Sequence, residues 1–158
     1  MTQCIIFLNT KDFVEKLRNI LKNKGCAATI MFGDMQNDER DEMMAKFRKG
    51  EVRTFITTNL LARGIDVPEV EFVINYDVPV LRNRNGQRSG DAETYLHRIG
   101  RAGRFGTKGI AITLLDRDED KDYFEEIIDH YGMKEKVTVL KNAEHLTEVY
   151  QAMTQGDL

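Results

Sequence analysis

The chain predicts an α/β fold, a parallel sheet with helices on both faces. Short apolar runs alternate with segments whose apolar residues recur at steps of three and four, along most of the 158 residues. Runs such as Cys-Ile-Ile-Phe-Leu at Cys4–Leu8 are apolar at consecutive positions, which suits strands buried on both faces. The intervening segments are long enough to return the chain as helices between parallel strands. The length suits one domain with a sizeable core.

The elements follow in order. Cys4–Leu8 is the first strand. Thr10 or Asp12 caps a helix with apolar Phe13, Val14, Leu17, Ile20 and Leu21, and Gly25 ends it. Ala27–Phe32 is the next strand. Asp38 caps a helix carrying Met43, Met44 and Phe47 at core spacing, stopped by Gly50. Thr54–Thr57 and Phe72–Tyr76 are strands. Asp77-Val78-Pro79 follows, and Pro79, with no N–H to donate, ends pairing. Residues 81–92 are polar, contain two glycines and form no apolar face, so they read as a mobile surface loop. Glu93–Arg101 is helical and Ile110–Leu115 a strand. Asp120–Tyr131 is an amphipathic helix with Tyr123, Phe124, Ile127 and Ile128 inward, and its acids Asp118-Glu119-Asp120 suit a helix start. Val137–Leu140 reads as a last strand and Leu146–Met153 as a last helix. Ligands of such sheets sit at the carboxyl ends of the strands. Asn9-Thr10, Gly33-Asp34-Met35, Thr57-Thr58-Asn59 and Asp77-Val78-Pro79 should therefore share one edge.

Net charge is −3, unevenly spread. Residues 1–115 carry 18 Lys and Arg against 14 Asp and Glu; residues 116–158 carry 5 against 12. A nucleic-acid footprint belongs to the first part, and the acidic last third reads as a solvated face. No apolar run approaches about 18 residues and no leader pattern opens the chain, so neither a membrane span nor a secretory signal is visible. Cys4 and Cys26 lie in apolar stretches and read as reduced core residues; no Cys/His cluster has metal-ligand spacing, and no metal site is expected.

Tyr95–Gly106, Tyr-Leu-His-Arg-Ile-Gly-Arg-Ala-Gly-Arg-Phe-Gly, is the most informative stretch. Arg98, Arg101 and Arg104 recur at steps of three, interleaved with Gly100, Gly103 and Gly106. Each guanidinium is a planar fork of donors that fits phosphate oxygens. Glycine in a helix costs about 1 kcal/mol, which a merely solvated basic face does not explain.

This stretch resembles the His-Arg-x-Gly-Arg-x-Gly-Arg motif of the DEAD-box RNA helicases. Thr57-Thr58-Asn59-Leu60-Leu61-Ala62-Arg63-Gly64-Ile65-Asp66 resembles a second motif of that family, Thr-x-x-x-x-Ala-Arg-Gly-Ile-Asp. The resemblance covers nearly the whole chain and concerns the second half of the helicase core. It implies a single RecA-like domain over residues 1–158, with the ATP-binding N-terminal half absent. The chain has no Gly-x-x-x-x-Gly-Lys-Ser/Thr loop and no Asp-Glu-Ala-Asp, and so reads as an excised fragment, inactive alone.

The resemblance also implies roles. ATP with Mg2+ would be bound mainly by the N-terminal RecA-like domain. Arg101 and Arg104 would reach the γ-phosphate, Asp66, beside Gly64, would accept from the ribose hydroxyls, and His97 would couple to the other domain's acidic motif. Arg98 or Arg63 would hold the two motifs together by ion pairing. RNA would lie across the same edge, met by Thr57 through its hydroxyl and N–H, by Gly33, and by Arg40 in Gln36-Asn37-Asp38-Glu39-Arg40; Asn9 and Thr10 are weaker candidates. For Arg40 the competing expectation is an ion pair with Asp41 or Glu42. No aromatic pair suggests base stacking, so the contacts expected are to a single-stranded backbone, without sequence preference. The long loop before Glu93-Thr94-Tyr95-Leu96 is similar to that of the mRNA-export branch, which implies a nuclear-pore protein and an inositol-hexakisphosphate-bound activator as partners and a cytoplasmic or nuclear location. The loop's Arg82, Arg84 and Arg88 could meet RNA or a partner, with a tolerated solvent loop the simpler reading. A stand-alone nucleic-acid-binding module and a protein-interaction scaffold remain alternatives. The module has no use for the arginine motif or Asp66.

Overall fold

A computed structural model describes residues 2–59, 69–103 and 108–155. The elements are β1 (Cys4–Phe7), α1 (Lys11–Asn23), β2 (Ala28–Met31), α2 (Asn37–Arg48), β3 (Thr54–Thr57), β4 (Phe72–Asn75), β5 (Val80–Arg82), β6 (Arg88–Gly90), α3 (Ala92–Ile99), β7 (Ile110–Thr113), α4 (Asp118–His130) and α5 (Ala143–Gln155). Among the described residues the main sheet has five strands in the order β2-β3-β1-β4-β7. All of its pairings are parallel.

The pairing is in register across the sheet. Phe7 stands opposite both Thr57 and Asn75, Thr57 opposite Met31, and Asn75 opposite Thr113. The five strands therefore end in one row, and the segments that follow them do share an edge. Side chains alternate across the sheet. Ile5 and Phe7 pack with Met44 and Phe47 of α2 on one face; Ile6 and Leu8 pack with Val14 of α1 on the other. Burying Phe7, Phe47 and Phe55 contributes on the order of 2–3 kcal/mol each. Helix α3 lies on the α2 face, its Arg98 guanidinium 5.4 Å from the Phe7 ring centroid. Helix α5 sets Tyr150 against Phe72, ring centroids 5.3 Å apart. Helix α4 packs on α3 through Tyr95, Ile127 and Ile128, beside Val78.

Several expectations are corrected. Residues 81–92 are not a mobile loop. Val80–Arg82 and Arg88–Gly90 pair antiparallel as a hairpin. The Asn83 Oδ1 accepts from the N–H of Asn85 (3.0 Å) and of Gln87 (2.9 Å), and Gly86 takes φ +80°. A Cβ at Gly90 would lie 2.4 Å from the Tyr123 carbonyl and 2.7 Å from Ile127 Cγ1, so only glycine lets the hairpin lie this close to α4. Val137–Leu140 forms no strand. Val137 is extended (φ −97°, ψ 123°) after a 3₁₀ turn at Lys134–Lys136, but no edge among the described residues pairs with it, and Val139 is 81 % exposed. Helix α2 begins at Asn37, with Gln36 rather than Asp38 at the cap position. Helix α3 begins at Ala92, one residue earlier than expected, because the Asp91 carboxylate accepts from the Thr94 N–H (3.0 Å). Phe13 and Ile20 are exposed, leaving Val14, Leu17 and Leu21 to face the sheet. Cys4 is half-buried as a core thiol, but Cys26 is exposed; both are free.

Candidate functional site

The strand-end row is stitched together by Arg98, which projects from α3 and is 1 % exposed. Its Nε and Nη2 donate to the Asn59 Oδ1 (3.0 and 2.6 Å), Nη2 also to the Asn9 Oδ1 (2.9 Å), and Nη1 to the Asp77 carbonyl (3.0 Å). The Asp77 Oδ1 lies 3.7 Å from Nη1. Asn9 completes the knot: its N–H donates to the Asp77 Oδ2 (2.9 Å) and its Nδ2 to the Val78 carbonyl (2.8 Å). One planar cation thus holds the exits of β1, β3 and β4 to α3, using the fork that an ammonium lacks. Burial pulls the Arg98 pKa down to about 10, with Asp77 and Asp91 opposing, and the group stays charged at neutral pH. Burial also raises the Asp77 carboxyl above its ordinary range, with the Asn9 N–H and Arg98 drawing it back.

Arg98, one of the two alternatives expected, does join the two motifs, but by hydrogen bonds to the Asn59 amide rather than by the ion pairing expected; its carboxylate partner, Asp77, lies in neither motif. Arg63, the other alternative, lies outside the described residues, as do Gly64, Asp66 and Arg104. The sequence reading gave Asn59 and Asn75 no role. The signal was there: Asn75 interrupts the apolar run Phe-Val-Ile, is fully buried, and donates to the Thr113 Oγ1 at 3.3 Å.

The chain from α3 to Gly103 runs from one end of β4 to the other. The first turn of α3 and Arg98 meet the strand-end edge. Beyond its last turn, Ala102 bridges in parallel to Val70, which precedes β4, and the Val70 N–H donates to the Arg101 carbonyl (2.9 Å). The backbone of the second arginine therefore lies toward the opposite end of β4 from Asn9 and Thr57, and the arginine motif is not confined to the edge expected to take RNA. Two glycines make this possible. Gly103 takes φ +100°, and a Cβ at Gly109 would stand 2.0 Å from the Gly103 nitrogen. Arg101 is half-buried. His97 is exposed on the outer side of α3, bordering a groove of about 640 Å³ that Leu81 and Tyr131 also line.

The remaining candidates are placed as follows. Thr57 is fully buried and its hydroxyl donates to the Met31 carbonyl (2.9 Å), so this hydroxyl ties β3 to β2 and is not presented at the edge. Asn9 is exposed, but both ends of its side chain are committed to Arg98 and Val78. Thr10 is exposed at the cap position of α1 and makes no side-chain cap bond. Gly33 is half-buried, next to Asp34, which pairs with Lys11 across the exits of β1 and β2. Arg40 lies in the first turns of α2 and donates to the Asn37 Oδ1. Glu42 pairs with Lys46 at 2.6 Å, so the Arg40 bond is to an amide rather than to a neighbouring acid.

The site is thus a parallel α/β domain whose strand exits are tied to an arginine-bearing helix. Residues 1–106 match the family described as "Helicase conserved C-terminal domain", and the chain belongs to that family as the C-terminal RecA-like domain of a DEAD-box protein. It is 43 % identical over 138 residues to the ATP-dependent RNA helicase FAL1 of Kluyveromyces lactis, covering 87 % of this chain and 32 % of that protein. It is 49 % identical over 120 residues to the ATP-dependent RNA helicase DBP5 of Saccharomyces cerevisiae, covering 76 % of this chain and 23 % of that protein. The chain thus spans about a third or less of the curated relatives it matches. The solved C-terminal domain of the DEAD-box protein Dbp5 superimposes with a TM-score of 0.80 at 37 % identity, over 96 % of this chain and 82 % of that one. Solved S. cerevisiae Dbp5 complexes hold RNA with ADP BeF3, Gle1 with IP6, and Nup159.

Proposed function

We propose that this chain is the second half of an ATP-dependent RNA helicase, completing an ATP site and part of an RNA-backbone site that an N-terminal RecA-like domain closes. The observation that carries this reading is the buried Arg98. It joins the strand exits, where RNA contacts are assigned, to the helix that delivers Arg101. Arg101 and Arg104 serve the γ-phosphate, Asp66 the ribose and His97 the partner domain. The partner domain holds most of the nucleotide and its Mg2+; no magnesium ligand is assigned to the described residues. Arg40 and the backbone around Gly33 and Thr57 serve RNA phosphates. Similarity to Dbp5 and its RNA, Gle1–IP6 and Nup159 complexes supports an mRNA-export role near the nuclear pore, with related partners.

The test is RNA-stimulated ATP turnover in the protein carrying both domains. Arg101→Lys and Arg104→Lys keep the charge and lose the fork. Each should cut turnover by on the order of 10³ or more, with little change in melting temperature and little further loss in the double variant. Normal turnover in both lysine variants overturns the assignment. This chain alone should unfold cooperatively and hydrolyse no ATP; RNA-stimulated turnover by it would show that the site is not shared.

A further inference from the structure

The hairpin β5–β6 is not used by that reading. From Val78 to Gly90 the chain carries three arginines and no Asp or Glu. Register places Arg82 directly opposite Arg88. Like charges facing each other across two strands destabilise the pairing. Arg88 is partly neutralised by Glu119, 4.0 Å away, while Arg82 and Arg84 pair with no carboxylate among the described residues. Three further acids of α4 are committed elsewhere. Asp118 pairs with Lys121 and Asp120 with Arg117, each at 2.7 Å, and Glu126 accepts from the Gly90 N–H at 2.8 Å. The tip is held by the Asn83 turn and the base by Gly90 against α4, so the charge is carried on a fixed element.

We infer that this hairpin is a second RNA-backbone contact, with Arg82 and Arg84 each serving a phosphate. The inference rests on the RNA reading above. The hairpin rises from Asp77-Val78-Pro79 at the strand-end edge and returns to it, where the Asp91 N–H donates to the Pro79 carbonyl (2.8 Å). It is therefore continuous with the segments that Arg98 gathers. Its other polar side chains, Asn83, Asn85, Gln87 and Ser89, are of the types that meet phosphate and sugar. It carries no aromatic anchor of the kind that dominates protein–protein contacts.

The experiment titrates the 158-residue chain with oligouridine, following backbone amides by NMR and affinity against salt by fluorescence anisotropy. Amides of Arg82–Arg88 should shift. Arg82→Gln/Arg84→Gln should lower the slope of log affinity against log salt by about 1.4, at about 0.7 per single-strand phosphate contact. Arg82→Lys/Arg84→Lys should keep most of the slope. Lys22→Gln/Lys24→Gln, which removes equal charge at the far end of α1, should leave it unchanged. Shifts confined to residues 33–40 and 57–59, with an unaltered slope in the Gln variant, overturn the hairpin contact and leave the parent reading standing; the arginines would then serve a protein partner or solvent. No shift anywhere overturns the hairpin contact, since the hairpin is complete in this chain; the parent reading is judged separately by RNA-stimulated turnover of the protein carrying both domains.

Discussion

Arg98→Lys isolates the contribution of guanidinium geometry from that of charge. Four hydrogen bonds of 2.6–3.0 Å run from three nitrogens to Asn59, Asn9 and the Asp77 carbonyl. One ammonium nitrogen cannot reach three acceptors arranged around a plane, so at least two bonds are lost. Bonds from a charged donor contribute roughly 1.5–3 kcal/mol each, and water can satisfy part of what is abandoned because Asn9 and Asn59 are exposed. Allowing for partial recovery by the ammonium, the expected cost is about 2–4 kcal/mol. For a chain of this size that lowers the melting temperature by roughly 5–15 °C. Arg98→Met should cost more, because it leaves the Asp77 carboxylate without its partner, at about 3–5 kcal/mol. Urea unfolding of this chain, followed by circular dichroism, measures both. Arg18→Lys, at an exposed position of α1, should stay within about 0.5 kcal/mol of the parent. Arg98→Lys combined with Asn59→Ala should cost less than the sum of the two, since both remove the same bonds. If Arg98→Lys unfolds within about 0.5 kcal/mol of the parent, the knot contributes nothing that depends on the fork, and the reasoning fails.

Three further outcomes are expected. Gly109→Ala should cost roughly 1–3 kcal/mol, because the added carbon meets backbone 2.0 Å away at Gly103; a normal melting temperature would mean the two backbones separate freely. Asp77 has a carboxyl pKa raised on folding, so its contribution to stability is full below the unfolded value of 3.8 and is lost as pH rises through the folded value. Asp77→Asn should remove that loss, and melting curves from acid to neutral pH should show a parent-minus-variant difference that shrinks with rising pH; a constant difference would refute the shift. Burial pushes the Cys4 thiol up to about 12, whereas Cys26 is exposed. One thiol should therefore react with iodoacetamide at neutral pH in the folded chain and two in denaturant, with mass spectrometry placing the first label on Cys26.

The main sheet and its helices were legible because burial enforces period. Apolar runs of four or five residues and helical spacing at Val14, Leu17 and Leu21 leave few alternatives, and Gly25 and Gly50 end their helices at φ +78° and +73°. The hairpin was not legible by period. Leu81 and Arg82 point to opposite sides and are both exposed, so no alternation marks the strands; only Asn85-Gly86 in the turn announced it. Val137–Leu140 has the composition of a strand but no partner strand among the described residues, and composition alone does not supply one. Within the site, the motif drew attention to Arg98 but not to its acceptors. Asn9, Asn59 and Asp77 lie 89, 39 and 21 residues away, and spacing carries no trace of contacts at that range.

The short segment from Arg98 to Gly103 is pinned at both ends, which fixes the distance between its arginines. Helix α3 ends at Ile99 and a turn at Gly100 and Arg101 follows, so a residue inserted between Arg98 and Arg101 would lengthen a connection whose two anchors are set. The chain could not absorb that insertion by sliding. Arg98 is locked into the row of strand ends, and at the other limit the Val70 N–H donates to the Arg101 carbonyl and the Gly103 N–H to the Val70 carbonyl. The three-residue step that first made this segment conspicuous is thus a fixed length between two anchors, and length variation should be tolerated in the hairpin tip long before it is tolerated here.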